Sequence, residues 1–241
     1  MSTFKQAWLI TRREVSIDRL LFLWSLLFMI YTGGVIGSLI RSAVQQPEWL
    51  SLMVDFMMMA FVPFTAFFFS RRSFKYLQED SYTQMLAYMR ILPIPVKAVI
   101  VSRVQQLLIA VVLNGIVFYG IMYVAVFTGN PSVHTDVISY LGFVLTWVGY
   151  TMIVNGLYIY LEFLNHGKKY FWTSLVVMAF ALVAAAAAKW MDVNVLKWTM
   201  SVSRDWGLAS PLMWVSLLAG ALILRIMCGV TLKKLNRRSL L

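Results

Sequence analysis

Two charged side chains, Asp55 and Arg225, fall inside apolar runs that otherwise carry no charge. A carboxylate deep in a bilayer costs about 2.5–3.5 kcal/mol on insertion scales, and less near an interface, so such a group marks either a function or a partner. Asp55 stands about two turns inside the outer end of its run. It admits two readings: the polar lining of a path for a solute, or an interface carboxylate that pairs with Arg41 or snorkels. Arg225 is about a turn from the inner end of its run and reads as a snorkelling side chain. Asn114 and Asn155 also lie within apolar runs. Each can hydrogen-bond across helices, which is the commoner use, or touch a ligand.

Other chemistry is missing. No phosphate loop of the G-x-x-x-x-G-K-[ST] type occurs, since the only Gly-Lys pair, Gly167-Lys168, is followed by Lys169. ATP hydrolysis by that route is excluded. Neither H-E-x-x-H nor G-x-S-x-G is present. No lysine falls in an apolar run, which argues against a buried lysine base beside one of the many serines. His134 and His166 sit in loops expected on opposite sides, so no metal site is expected, and no cofactor. The lone Cys228 has no internal partner and reads as inert.

The elements that must position these residues follow from hydropathy. The 241 residues are 61% hydrophobic and only 13% charged, far below the share of a water-soluble chain. Roughly 20 helical residues cross a hydrocarbon core of ~30 Å. Runs 20–40, 49–70, 104–127, 137–161, 171–188 and 211–230 meet that length. An open sheet facing lipid is excluded by its unpaired backbone groups. The expected fold is therefore all-α: a polytopic membrane protein of six transmembrane helices in a single transmembrane domain, residues 1–241. The first run is longer than a signal-peptide core and is expected to remain as a span.

Orientation comes from the basic residues. Lys5, Arg12, Arg13 and Arg19 precede the first run. Arg71, Arg72, Lys75, Arg90, Lys97 and Arg103 fill the second gap, Lys168 and Lys169 the fourth, and Lys233, Lys234, Arg237 and Arg238 the tail. The alternate gaps hold only Arg41, then none, then Lys189, Lys197 and Arg204. Both termini are expected on the cytoplasmic side of the plasma membrane. Tryptophans agree, with Trp49, Trp190, Trp198, Trp206 and Trp214 in an outer belt and Trp8 and Trp172 in an inner one. The net charge of +11 is then juxtamembrane, held by anionic lipid, and no nucleic-acid partner is expected.

Three further segments have amphipathic patterning. Residues 1–19 place Lys5, Arg12 and Arg19 on one stripe, the pattern of an N-terminal interfacial helix. In the cytoplasmic region 71–103, residues 73–90 gather Phe74, Leu77, Met85 and Tyr88 on one helical face and Glu79, Asp80 and Thr83 on the other, with Pro93 and Pro95 ending the helix. Outside, 189–210 repeats Val195, Trp198, Val202 and Trp206 at helical spacing. For the last two, simple interfacial packing is the plain alternative. Gly33 and Gly37 form a G-x-x-x-G, and Ala184 to Ala188 are all alanine; both permit close helix contact, within the chain or between copies. Three spans on each side of the third gap permit an inverted repeat, but no self-similarity accompanies it.

Leu92-Pro93-Ile94, Lys97, Val99-Ile100-Val101 and Arg103 resemble the approach to the third span of type-2 ABC export permeases, the membrane subunits of bacterial exporters. Arg12-Arg13-Glu14 with Asp18-Arg19 resembles that family's N-terminal helix; in the approach to the third span, Pro95 departs from the small polar residue expected. The resemblance implies a permease of two copies, identical or related, that works with separate ATPase subunits holding ATP and Mg. It implies that 74–90 is a coupling helix docking on the ATPase through Lys75, Gln78, Glu79, Asp80 and Tyr82, with Leu92 and Pro93 following, and with the loop 162–169 as a second contact. The solute is then an exported peptide, antibiotic or lipid-like molecule, with Asp55, Asn114 and Asn155 as candidates for its path.

Two other classes compete. An intramembrane enzyme needs acids, bases or metal ligands within spans, where only Asp55 and Arg225 qualify. A channel or carrier without ATP needs charged or broken helices at midplane, and none is evident from the sequence. The expected topology has a direct check: residues between Tyr76 and Tyr88 stay closed to membrane-impermeant labels on intact cells and become reactive once the membrane is opened. Labelling from outside would reverse the orientation.

Overall fold

A computed structural model describes residues 2–45, 49–70, 80, 84–85, 88, 94–127 and 136–237. Among these the regular structure is entirely helical. The elements are α1 (Thr3–Ile17), α2 (Arg19–Gln45), α3 (Trp49–Phe61) followed by a 3₁₀ turn (Val62–Ala66), α4 (Val96–Phe127), α5 (Val137–Leu164), α6 (Gly167–Trp190), α7 (Val195–Trp206) and α8 (Pro211–Arg237). Five of them, α2, α4, α5, α6 and α8, are long and apolar enough to cross a membrane. The apolar stretch Leu50–Ala66 is shorter. The chain is thus a helical protein of multi-pass membrane character. The lengths follow from uninterrupted runs of Leu, Val, Ile, Ala and Phe, in which each backbone N–H and C=O is satisfied within its own helix.

Close packing is set by small residues. Lipid tails are as apolar as the side chains, so helices associate by contact rather than by escape from water. On α2, a Cβ on Gly33 would stand 2.7 Å from the carbonyl oxygen of Phe118, and one on Gly37 would stand 2.6 Å from the Cβ of Ala125. The G-x-x-x-G motif is therefore filled within the chain, by α4. A second seam escaped sequence reading. Gly142, Gly149 and Gly156 recur every seven residues along α5 and face α7 and α8. A Cβ on Gly220 of α8 would stand 2.5 Å from the carbonyl oxygen of Gly149, and one on Gly149 would collide with the backbone of Ser216. The heptad spacing of these glycines was the available signal.

Around these crossings lies a core of Met29 and Ile36 from α2, Val54 and Met58 from α3, Phe118 and Met122 from α4, and Phe143 and Trp147 from α5. Helix α1 lies against α4 through Ala7 and Thr11, both buried. Helix α6 is peripheral: it meets α3 where Ala181 and Ala185 are buried, and most of its length is exposed. Helix α7 buries Leu196, Thr199 and Ser203 and leaves Trp198 and Trp206 exposed. Its aromatic stripe thus faces away from the bundle, as a helix lying at an interface requires.

The seam yields a contrast. Gly149→Val destabilises the protein by about 1–3 kcal/mol or more, through overpacking against α8. Gly120→Ala, where a Cβ meets nothing within 4 Å, is neutral or slightly stabilising. Thermal unfolding in detergent checks both.

Candidate functional site

The second apolar run is not one continuous helix. The α-helical part of α3 ends at Phe61, tightens to 3₁₀ geometry over Val62–Ala66, and becomes extended at Phe67. Pro63 is the cause. It has no N–H for the carbonyl four residues earlier, that of Met59. Tyr150 supplies the missing donor, its hydroxyl donating to the Met59 oxygen at 2.9 Å. Other freed carbonyls are met in the same way. Asn155 Nδ2 donates to the Pro63 oxygen at 3.0 Å. Thr65 and Thr151 hydroxyls donate to the Val62 oxygen at 2.8 and 3.5 Å. Asn114 Nδ2 donates to the Thr65 oxygen at 3.1 Å and the Phe67 oxygen at 2.8 Å. Further on, the Phe69 N–H donates to Ser25 Oγ at 2.7 Å.

Asn114 and Asn155, both fully buried, therefore bond across helices to the backbone of the broken helix. The Asn114 Oδ1 is buried without a partner among the described residues. The break lies opposite the middle of α4, where the sequence pattern had shown no interruption of a span. Its signal was Pro63 itself, inside a run that hydropathy alone reads as continuous.

Asp55 lies on the part of α3 before the break. It is 3% exposed, and its two carboxylate oxygens accept the backbone N–H groups of Leu196 and Val195, each at 2.9 Å. These are among the orphan donors at the start of α7, where helix geometry favours an anion. Asn194 adds its own cap, Oδ1 accepting from Lys197 N at 2.8 Å. The contact accounts for a buried carboxylate by pinning α7 to α3.

A third polar cluster joins α1, α4 and α5 near the other end. Arg103 pairs with the buried Glu162 at 2.8 Å. Its Nη1 donates to Gln106 Oε1 at 3.0 Å, and Gln106 Nε2 donates to Glu14. Thr11 donates from α1 to the Ser102 carbonyl at 3.2 Å. Glu14, Arg103, Gln106 and Glu162 border a cleft of about 80 Å³ that Phe22 and Phe68 also line. Arg103 and Glu14 stood in the segments that resemble export permeases; their meeting through Gln106 is a tertiary fact.

Of the coupling candidates, Lys75, Gln78, Glu79, Tyr82, Leu92 and Pro93 lie outside the described residues. Asp80 is described, with φ of +47°. Its Oδ1 accepts the Gly167 N–H at 2.7 Å, and its Oδ2 lies 2.9 Å from His166 Nδ1. Asp80 thus caps α6 and joins two regions that the sequence marked separately.

Beside the break, between α3, α5 and α6, lies an apolar cavity of about 500 Å³, walled by Pro63, Phe64, Phe67, Tyr150, Val154 and Phe180. No cluster of metal-ligating side chains occurs among the described residues.

No protein-family model matches this chain, and neither a curated protein nor a solved structure is significantly similar to it.

The two asparagines differ from ordinary polar substitutions in what they leave behind. Asn114→Ala strips the Thr65 and Phe67 carbonyls of a donor; Asn155→Ala strips that of Pro63, and that of Thr151, which lies within α5 and keeps its helical bond. Each lost partner costs about 1–3 kcal/mol, so Asn114→Ala is the more damaging in a thermal unfolding series.

Proposed function

We propose that this chain is the permease subunit of an ABC exporter, working in the plasma membrane with both termini cytoplasmic and driven by ATP hydrolysis on a separate ATPase subunit. The observation that carries the reading is the Asp80 clasp on His166 and Gly167. It ties the segment that resembles a coupling helix to the first residue of α6, so that force applied to one is delivered to the other. The Glu14–Gln106–Arg103–Glu162 chain supports the same idea, since it binds α1 to α4 and α5 near the inner ends of the spans.

Six spans are consistent with the lengths. Thirteen α-helical residues and five 3₁₀ residues in the second run add to about 30 Å, enough for the hydrocarbon core. In this reading ATP-driven closure of the partner pushes on residues 71–90. Rigid helices tilt, and the discontinuity at Pro63 gives the second span a place to bend. A second copy of the chain, or a related permease, completes the translocation path, and the exported solute is a peptide, an antibiotic or a lipid-like molecule.

A second reading has one observation in its favour. Broken helices whose unwound backbone lies against the middle of a bundle are a device of carriers that need no ATP. Here every freed carbonyl named above already has a side-chain donor, which leaves fewer of them to bind an ion.

Purification separates the two. Under the permease reading an ATPase co-purifies and its hydrolysis rises when this chain is present. Glu79→Lys with Asp80→Lys leaves the chain inserted but lowers the stimulated hydrolysis about tenfold, the effect of 1.4 kcal/mol of lost coupling. Solute uptake by the chain alone in vesicles, without nucleotide, would instead establish the carrier.

A further inference from the structure

We propose that the apolar cavity between the broken span, α5 and α6 is a binding site for one acyl chain of a membrane phospholipid, entered sideways from the bilayer. The inference needs only that the chain lies in a membrane, and it stands whether or not an ATPase drives it.

The site is built by the break. Where Pro63 interrupts α3, polar donors of α4 and α5 reach the freed carbonyls from the protein interior. The backbone is thereby neutralised, and what the cavity meets is the Pro63 ring with Phe64 and Phe67. Tyr150 lines the wall too, yet its hydroxyl is turned to the Met59 carbonyl. Water entering this space would find few hydrogen-bond partners, and it occupies cavities only where two to four are on offer. The volume of about 500 Å³ lies within the usual range of ligand pockets. The remaining filler is hydrocarbon.

The shape fits a chain rather than a compact solute. The wall runs along α5 from Tyr150 to Tyr158, about 12 Å at the helical rise. One end is closed by aromatic rings: Phe67 and Tyr158 meet edge to face at 5.5 Å, and Tyr158 meets Tyr170 at 6.2 Å. The side is open. Helix α6 approaches α3 where Ala181 and Ala185 are buried, and along the mouth Val176 is 64% and Phe180 73% exposed. Apolar side chains so exposed on a membrane span are met by lipid.

The test uses the full chain in nanodiscs containing a phosphatidylcholine with a diazirine at mid-chain, with cross-linked residues mapped by mass spectrometry. Val154 and Val177, inside the cavity, are expected to label about tenfold more than Leu218, an ordinary exposed residue of α8. Ala184→Trp fills the cavity and removes the excess at Val154 while Leu218 labels as before. If that variant fails to insert, seen as loss of Leu218 labelling, Val177→Phe replaces it with the same expectation. Equal labelling of Val154 and Leu218 would overturn the proposal. So would an intermolecular disulfide formed by a Val154→Cys variant, which would make the cavity a protein interface.

Discussion

Hydrocarbon offers no hydrogen bonds, and Pro63 removes one from the middle of an apolar segment. The rest of the arrangement answers that single loss. An unsatisfied carbonyl at membrane depth costs several kcal/mol, so a break in a span survives only where other helices carry donors to it. Tyr150, Thr151 and Asn155 on α5 and Asn114 on α4 are those donors. Their polar character within apolar helices is explained by the backbone they serve. The break in turn lets the chain leave helical geometry at Phe67 and opens the space that Phe64 and Phe67 wall off from the interior.

The same logic extends to the ends of the elements. Asp55 meets the orphan amides of α7, and Asp80 meets that of Gly167 at the start of α6. In each case a carboxylate is set where a helix presents positive partial charge. One such contact fixes the amphipathic helix α7 to α3 before the break. The other links Asp80 to the peripheral helix α6. The broken helix is thus held at Asp55 and at its break, while Asp80 beyond it grips α6.

Legibility in the sequence divided along physical lines. Hydropathy located the runs that became α2, α4, α5, α6 and α8, because length and apolarity are local properties that lipid reads directly. The amphipathic pattern within 189–210 became helix α7, whose buried face is Leu196, Thr199 and Ser203 rather than the aromatic stripe. Gly33 and Gly37 announced a close crossing but not its partner, since small-residue motifs specify distance and not identity. The interruption of the second run was overlooked because apolar averaging across 49–70 does not register one missing amide hydrogen.

The sequence alone determined that this chain is helical and built for a bilayer, and it named Asp55, Asn114 and Asn155 as polar groups that needed an explanation. Tertiary structure alone decided what each one touches. Asp55 reaches an amide 140 residues away, Asn155 a carbonyl 92 away and Asn114 one 49 away. Separations of that size have no local signature: a hydrogen bond reads the distance between atoms, and only the packing of helices sets that distance.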